Sequence, residues 1–156
     1  DLRAMPGAGG LDIDGTTLLR TADDVPGVLR ASQVATGEEN SVGIAVYGSR
    51  GALKWCHDAP AQLIHLREDA PMRVFTPGHA FNEALGRGAS QLPPGHPQGL
   101  VEAMANLYRG FADALDGDDG AHERFRGIEA GVRGMRFLEA VIESNRRGSV
   151  WTEIRE

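Results

Sequence analysis

The sequence predicts an α+β fold, in which an open antiparallel β-sheet carries helices on one face and leaves the other face available for dimerisation. Strand patterns of period two fill the first half of the chain, and two long helical patterns follow them. Strands followed by helices are typical of α+β proteins, whose helices gather on one face of an antiparallel sheet. The uncovered face must then meet water or a second subunit.

Size and composition predict one soluble domain in the cytoplasm. The chain has 156 residues, of which 41% are hydrophobic and 24% charged, enough to build a core. A net charge of −6 argues against a nucleic-acid partner, because phosphates attract basic surfaces. No apolar run approaches the length of a membrane span, which argues against a membrane partner. Cys56 is the single cysteine, so a reducing compartment is expected.

The first 76 residues predict a glycine-rich lead-in and then a meander of strands. Residues 1–15 show no clear period, and we expect residues 1–21 to be a mostly irregular lead-in to a domain over 22–156. The turn sequence Gly-Ser-Arg-Gly at 48–51 predicts a hairpin between two strands. Consecutive strands joined in this way form an antiparallel meander. The predicted strands cover residues 25–34, 42–47, 52–55, 62–66 and 73–76.

The second half predicts a loop, two amphipathic helices and a last strand. Residues 77–97 hold four prolines and four glycines and predict a long mixed loop. Apolar residues at helical spacing predict helices from Gln98 and over 129–145, the second ending at a Gly148 C-cap. Gly131 and Gly134 each cost up to ~1 kcal/mol of helix propensity, which indicates that this helix lies close against another surface. Residues 150–154 predict a final strand.

Five sequence blocks, taken in order, resemble the C-terminal domain of the Gfo/Idh/MocA oxidoreductases. They are ADDVPGVLR at 22–30, ASQVATGEEN at 31–40, VYGSRGALKW at 46–55, GHPQGLVEAMANLYRGFADALDG at 95–117 and EAGVRGMRFLEAVIESNRRGSVWTEI at 129–154. In that family an N-terminal nucleotide-binding domain precedes a domain built on a large open antiparallel sheet. The resemblance implies an NAD- or NADP-dependent oxidoreductase acting on a sugar, cyclitol or related polyol, and a homo-oligomer formed through the open sheet face.

Three departures from the family pattern limit what is carried over. Gly-Ala-Gly-Gly at 7–10 has no apolar strand before it and no helical pattern after it, so it does not fit a dinucleotide-binding fingerprint. The family's catalytic lysine, in a Glu-Lys-Pro motif, has no counterpart, because Lys54 lies in a predicted hairpin strand. The family pattern places a hairpin between the positions of Arg30 and Ala31, which are adjacent here, so one interpretation is that this hairpin is missing. We therefore expect no catalytic or cofactor-binding residue here, the cofactor being bound by a domain absent from this chain.

His96 and Gln33 are the two candidate substrate-binding residues. His96 stands between Gly95 and Pro97 just before a helix, where its imidazole can hydrogen-bond a substrate hydroxyl. The resemblance places this loop near the family's substrate pocket, although a histidine that caps backbone or meets solvent is an equally open reading. Gln33 could direct its amide toward a polyol, but a strand residue bonded to a neighbouring chain or water is favoured.

The histidine spacing predicts no metal site. Two other functions remain as alternatives. The first is a stand-alone, non-catalytic assembly or small-molecule-binding module, motivated by the absence of every redox residue. The second is a cofactor-free hydrolase using His96 with a carboxylate such as Glu102, but the nucleophile and orienting group that such a base requires are not evident.

Overall fold

A computed structural model of the chain describes residues 2–4 and 10–155. The described residues form antiparallel sheets together with helices, so the predicted α+β class is confirmed. The chain divides into two compact units, of which the first combines Asp1–Gly37 with Arg126–Glu156 and the second is Glu38–Phe125. The strands are β1 (Leu2–Ala4), β2 (Asp12–Arg20), β3 (Pro26–Ser32), β4 (Gly43–Gly48), β5 (Gly51–Cys56), β6 (Leu63–Arg67) and β7 (Ala70–Phe75); the helices are α1 (Ala84–Ala89), α2 (Leu100–Leu115), α3 (Ala121–Arg124) and α4 (Ile128–Arg146).

The first unit contains a three-stranded antiparallel sheet in the order β1-β2-β3, together with α4. The expectation of an irregular lead-in is wrong for residues 12–20, which form the central strand β2. A tight turn allows this pairing, since Asp24 adopts a positive φ of 62° and its N–H donates to the Thr21 carbonyl oxygen at 3.0 Å. Residues 1 and 5–9 of the predicted lead-in lie outside the described residues.

The junction between Arg30 and Ala31 lies inside a paired strand. β3 runs without a break from Pro26 to Ser32, and Arg30 and Ala31 face Thr16 and Gly15 of β2. β3 is therefore continuous and paired with β2 at the junction where the sequence suggested a missing hairpin.

The C-terminal helix ends as predicted, but the strand predicted after it is absent from the structure. Gly148 has φ +85°, its N–H donates to the Asn145 carbonyl, and the Ser149 N–H donates to the Ser144 carbonyl at 2.8 Å. These two bonds form a Schellman motif. The prediction of a strand over 150–154 is wrong, because these residues pair with no strand among those that the structure describes.

The second unit contains a four-stranded antiparallel sheet in the order β4-β5-β6-β7, which matches the last four strands of the predicted meander. The prediction was wrong for the first strand of the meander, over 25–34, which is β3 in the sheet of the first unit. Its first hairpin follows the predicted Gly-Ser-Arg-Gly turn, and Gly51, the first residue of β5, has φ +156°. Side chains directly opposite one another share a face of an antiparallel sheet. One face therefore carries the row Ala45, Lys54, Ile64 and Val74, and the other carries Val46, Leu53, His65 and Arg73.

Two short helices in the second unit were not predicted. Helix α1 occupies the middle of the loop over 77–97, and α3 follows the turn after α2. Helix α3 lies against α2, where Phe111 and Phe125 bring their ring centroids to 5.3 Å and Arg124 forms ion pairs with Asp113 and Asp118. A Cβ on Gly110 of α2 would lie 3.0 Å from the Phe125 Cβ, so glycine permits this close approach.

Very little apolar surface is buried. Among the described hydrophobic residues, only Ala52 and Ala121 are buried. The close contact expected at Gly131 and Gly134 is not made by described residues, since a Cβ on either would meet nothing within 4 Å. In the described ranges, no helix combines the length and apolar character that crossing a bilayer requires.

Candidate functional site

His96 closes a tight turn immediately before α2. Its backbone N–H donates to the Pro93 carbonyl oxygen at 3.3 Å, and Gly95 has φ +84°. Glycine at the third position supplies the positive φ that a type II turn requires, and proline is common at the second position. The Pro-Pro-Gly-His sequence therefore dictates this turn locally, and the turn holds the histidine in a defined position.

The His96 side chain is exposed and has one ring nitrogen engaged. Its Nδ1 lies 3.2 Å from the Pro93 carbonyl oxygen. A carbonyl oxygen can only accept, so this bond places the proton of the neutral imidazole on Nδ1. The Nε2 lone pair is then the free acceptor of the ring, suited to a hydroxyl donor. His96 can therefore bond the backbone through Nδ1 and a substrate hydroxyl through Nε2, so the two interpretations of this residue are compatible.

A polar network connects the loop around His96 to helix α2. The Gln98 Oε1 accepts hydrogen bonds from the backbone N–H groups of Gln91 at 2.6 Å and Leu92 at 3.3 Å. The Gln91 amide donates to Asn106 Oδ1, and Asn106 Nδ2 donates to the Ala89 carbonyl at 2.7 Å. Sequence reasoning missed these residues; their only signal was the presence of amide side chains on both sides of a proline-rich loop.

Glu102 fixes the first turn of α2. Its carboxylate accepts a hydrogen bond from the Gly99 N–H at 2.7 Å, and this bond is the main reason that the pKa of Glu102 lies below its ordinary value. The His96 imidazole bonds instead to Pro93. The hydrogen bonds of the two side chains thus do not join them into the base–carboxylate pair that a hydrolase would use.

A second segment of backbone lies directly beside the His96 turn. A Cβ on Gly78 would be 2.9 Å from the Pro94 nitrogen and 3.2 Å from the Leu92 carbonyl oxygen. The Gly78 N–H also donates to Ser90 Oγ at 3.1 Å. Gly78 has φ +82°, so its conformation and its surroundings both favour glycine.

An aromatic pair follows Gly78 in the chain. The rings of His79 and Phe81 stack with centroids 4.8 Å apart and an interplanar angle of 13°. Phe75, at the end of β7, meets Phe81 at 6.4 Å in an edge-on arrangement. Phe81 remains 67% exposed despite these two contacts. The structure therefore places an open aromatic surface on the segment next to the His96 turn, which sequence reasoning did not identify.

Gln33 lies in the other compact unit. It follows the last residue of β3, its side chain is exposed, and its backbone N–H donates to the Ile13 carbonyl at 2.7 Å. The residue is thus just beyond a sheet strand rather than within one. Since His96 belongs to the second unit, the structure does not bring the two predicted residues together.

Each unit contains a cavity of its own. In the second unit a pocket of about 380 Å³ lies between Trp55, α1 and the start of α2, and the polar side chains of Gln98, Glu102 and Asn106 on its wall are already engaged in the bonds described above. In the first unit a cleft of about 1070 Å³ lies between β2, α4 and the C-terminal tail. Its charged lining residues are Arg20, Arg133, Arg136, Arg155, Glu129 and Glu153.

The described residues contain neither a parallel strand–turn–helix unit nor a cluster of metal ligands. All strand pairs in the described part of the chain are antiparallel, whereas a dinucleotide fingerprint requires a strand, a glycine-rich turn and a helix within a parallel unit. Within the same residues, no three side chains of His, Cys, Asp or Glu come together as metal ligands.

The chain is similar in structure to several oxidoreductases. It superimposes on the oxidoreductase from Sinorhizobium meliloti with a TM-score of 0.88 and 32% identity, covering 98% of this chain and 44% of that one. It also superimposes on an inositol dehydrogenase homologue from Azotobacter vinelandii complexed with NAD⁺, with a TM-score of 0.88 and 30% identity, covering 97% of this chain and 41% of that one. A further structure from Azotobacter vinelandii holds NADH and myo-inositol, with a TM-score of 0.84 and 31% identity over 93% of this chain and 40% of that one.

The sequence agrees with this likeness. The chain is 26% identical over 151 residues to the uncharacterised oxidoreductase YfiI of Bacillus subtilis (strain 168), covering 93% of this chain and 38% of that protein. The sequence matches no protein-family model. The chain thus spans less than half the length of these relatives. Its predicted resemblance to the C-terminal domain of Gfo/Idh/MocA oxidoreductases is confirmed.

Proposed function

We propose that this chain is the substrate-side and oligomerisation domain of an NAD(P)-dependent oxidoreductase acting on a sugar, cyclitol or related polyol. The observation that carries the proposal is the match of nearly the whole chain to less than half of a dehydrogenase homologue whose structure contains NADH and myo-inositol. The antiparallel pairing of the described strands supports a division of labour, in which residues outside this chain bind the cofactor and carry the catalytic lysine. The chain supplies one wall of the substrate pocket and is inactive alone.

His96 is the residue we assign to substrate binding. With Nδ1–H donated to Pro93, the Nε2 lone pair accepts a hydrogen bond from a polyol hydroxyl. The loop is held by the Gln98 and Asn106 bonds, so little conformational entropy is lost on binding. Gln33 is a second candidate, whose exposed amide provides both a donor and an acceptor.

Turnover and binding measurements on the purified chain test this assignment. We expect no NADH or NADPH formation with myo-inositol and either oxidised cofactor, together with weak binding of myo-inositol in a titration followed by NMR. The His96→Ala variant is expected to weaken binding several-fold, while His96→Gln, which restores an acceptor, recovers part of it. Dehydrogenase turnover by the chain alone contradicts the division of labour.

The DNA upstream of the Asp1 codon separates this function from that of a stand-alone module. An open frame that encodes a glycine-rich strand–helix unit supports the oxidoreductase domain. A start codon and ribosome-binding site directly upstream support the stand-alone, non-catalytic module instead.

The open face of the second unit's sheet is the surface we assign to oligomerisation. Trp55 shares a pocket with α1 and α2, so its face of the sheet turns toward the helices. The opposite face carries Tyr47, Met72 and Val74, of which Tyr47 is 69% and Met72 61% exposed. A two-fold dimer would place this face against the same face of a second copy.

Light scattering after size-exclusion chromatography tests this surface. The Tyr47→Asp and Met72→Asp variants are expected to run as monomers at concentrations where the unchanged chain is a dimer. Val28→Asp, on the exposed β3 of the other unit, is the matched control and should leave the mass unchanged. A monomeric unchanged chain, or dimeric variants, would contradict the assignment.

A further inference from the structure

We propose that the stacked rings of His79 and Phe81 form a platform for the apolar face of a cyclic polyol, so that these two residues position the ring of the substrate whose hydroxyl His96 binds. This inference rests on the function proposed above and adds two residues that neither the sequence nor the comparisons assign.

The geometry of the pair provides a flat surface, in which Phe81 is exposed and His79 is half-buried. The two rings are close to parallel at 4.8 Å, and Phe81 retains 67% exposure. Phe75 contacts Phe81 edge-on at 6.4 Å and supports it from β7. Aromatic rings attract the C–H groups of apolar partners with their electron-rich faces. A cyclitol or pyranose presents such C–H groups on its ring face, while its hydroxyls point outward from the rim.

The platform is held rigidly before any ligand arrives. The Asn82 N–H donates to the His79 carbonyl at 3.1 Å and closes a turn across the pair. The Asn82 side chain donates to the Thr76 carbonyl at 3.0 Å, and His79 Nε2 lies 3.1 Å from Thr76 Oγ1. These bonds reduce the ordering cost that binding would otherwise impose on an exposed loop.

Gly78 connects the platform to the His96 turn. It directly precedes His79, and its backbone lies against Leu92, Pro93 and Pro94 of the loop that His96 closes. The stacked rings and the free imidazole nitrogen therefore belong to two neighbouring backbone segments of one unit. An apolar surface combined with a few well-placed polar groups is the general composition of small-molecule sites.

The test compares cyclic and open-chain polyols on variants of the full chain. Myo-inositol and sorbitol are titrated separately, with binding followed by saturation-transfer NMR. Phe81→Ala is expected to raise the Kd for myo-inositol about 2- to 10-fold, the range for loss of one aromatic contact. Phe81→Trp should keep or tighten it, and sorbitol, which has no ring face, should respond little. Leu85→Ala, which removes a comparably exposed apolar side chain from α1, is the matched control.

The outcomes separate this inference from the proposed function. Suppose that myo-inositol binds the unchanged chain, and that His96→Ala weakens this binding whereas Phe81→Ala does not. The platform is then overturned, while the proposed substrate site at His96 is retained. If the unchanged chain binds no polyol, both are overturned. A Phe81→Ala variant with an altered far-ultraviolet spectrum is replaced by Phe81→Leu, which keeps apolar volume but lacks an aromatic face; unchanged affinity in that variant also overturns the inference.

Discussion

The backbone N–H of Gly99 donates a hydrogen bond to the Glu102 carboxylate at 2.7 Å, and this bond fixes the first turn of α2 three residues after His96. A side chain at the third helical position that reaches back to the N-cap N–H satisfies one of the donors that a helix leaves unpaired. The carboxylate also lies near the positive end of the helix dipole. A single contact thus sets where the helix begins and how the His96 loop enters it.

Removal of this contact is expected to loosen the start of the helix. Glu102→Ala should lower the melting temperature and the amide hydrogen-exchange protection of the first turn of α2, because the Gly99 N–H loses its partner. Glu102→Gln keeps an acceptor oxygen and should have the smaller effect. Equal melting temperatures for all three proteins would show that the bond is not formed in solution.

Acid should destabilise the second unit through its carboxylates. The pKa of Asp118 is lowered, mainly by the hydrogen bond from the Gly120 N–H and then by the one from Arg124, and the pKa of Glu102 is lowered by the Gly99 N–H. A carboxyl group whose pKa is lower in the folded state stabilises the fold above its unfolded pKa, and that stability is lost as the pH falls through the folded value. We expect the melting temperature to fall below about pH 4, with a shallower slope in Asp118→Asn. An unchanged slope in that variant would contradict the assignment.

Two glycine-to-alanine changes should have opposite effects. A Cβ at Gly110 would lie 3.2 Å from the Arg124 backbone carbon, and Arg124 is held by Asp113 and Asp118, so Gly110→Ala is expected to cost about 1 kcal/mol of unfolding free energy despite better helix propensity. The Cβ added by Gly131→Ala would meet nothing within 4 Å, so this variant should raise the unfolding free energy by up to about 1 kcal/mol. Urea denaturation measures both. Stabilisation by Gly110→Ala would mean that α3 moves away freely.

The end of α4 provides a second pair of opposite changes. Gly148 has φ +85°, and Gly148→Ala is expected to destabilise the protein by about 1 kcal/mol because a left-handed conformation is unfavourable for residues with a Cβ. Ser149 also has a positive φ, 63°, and Ser149→Gly should gain about 0.5 kcal/mol. The denaturation midpoint should be lower for Gly148→Ala and higher for Ser149→Gly than for the unchanged protein. A shift in the same direction would show that the Schellman motif is not retained.

Local signals were enough to predict a large part of the fold. Alternation of apolar residues predicted β4 and β5, the Gly-Ser-Arg-Gly turn predicted their hairpin, and helical spacing predicted α2 and α4 to within two residues. Gly148 was also correctly predicted to end α4, although the C-cap itself is Arg147 and the left-handed Gly148 follows it. Each of these features depends on residues close in sequence, whose spacing determines the turn or the buried face directly.

Two segments were assigned wrongly. β2 was taken for an irregular segment because its sequence, DIDGTTLLR, has no regular apolar alternation, although it pairs with β3 across a short turn. The tail at 150–154 was taken for a strand although no described strand pairs with it. For the candidate site, the sequence named His96 as a candidate, which stays a prediction, and correctly predicted the helix after it. Only the tertiary structure showed the hydrogen bond of His96 Nδ1, the network of Gln98 and Asn106, and the stacking of His79 on Phe81.

The sequence by itself determined the α+β class, the meander, the two long helices and the turn that carries His96, because hydrophobic period and proline–glycine chemistry act over a few residues. Only the tertiary structure decided that Gly78 lies against Pro94, and therefore that an aromatic pair and a histidine seventeen positions apart in the chain (79 and 96) lie on adjoining segments. Backbone approach of this kind is set by packing between loops, on which local propensity has little influence.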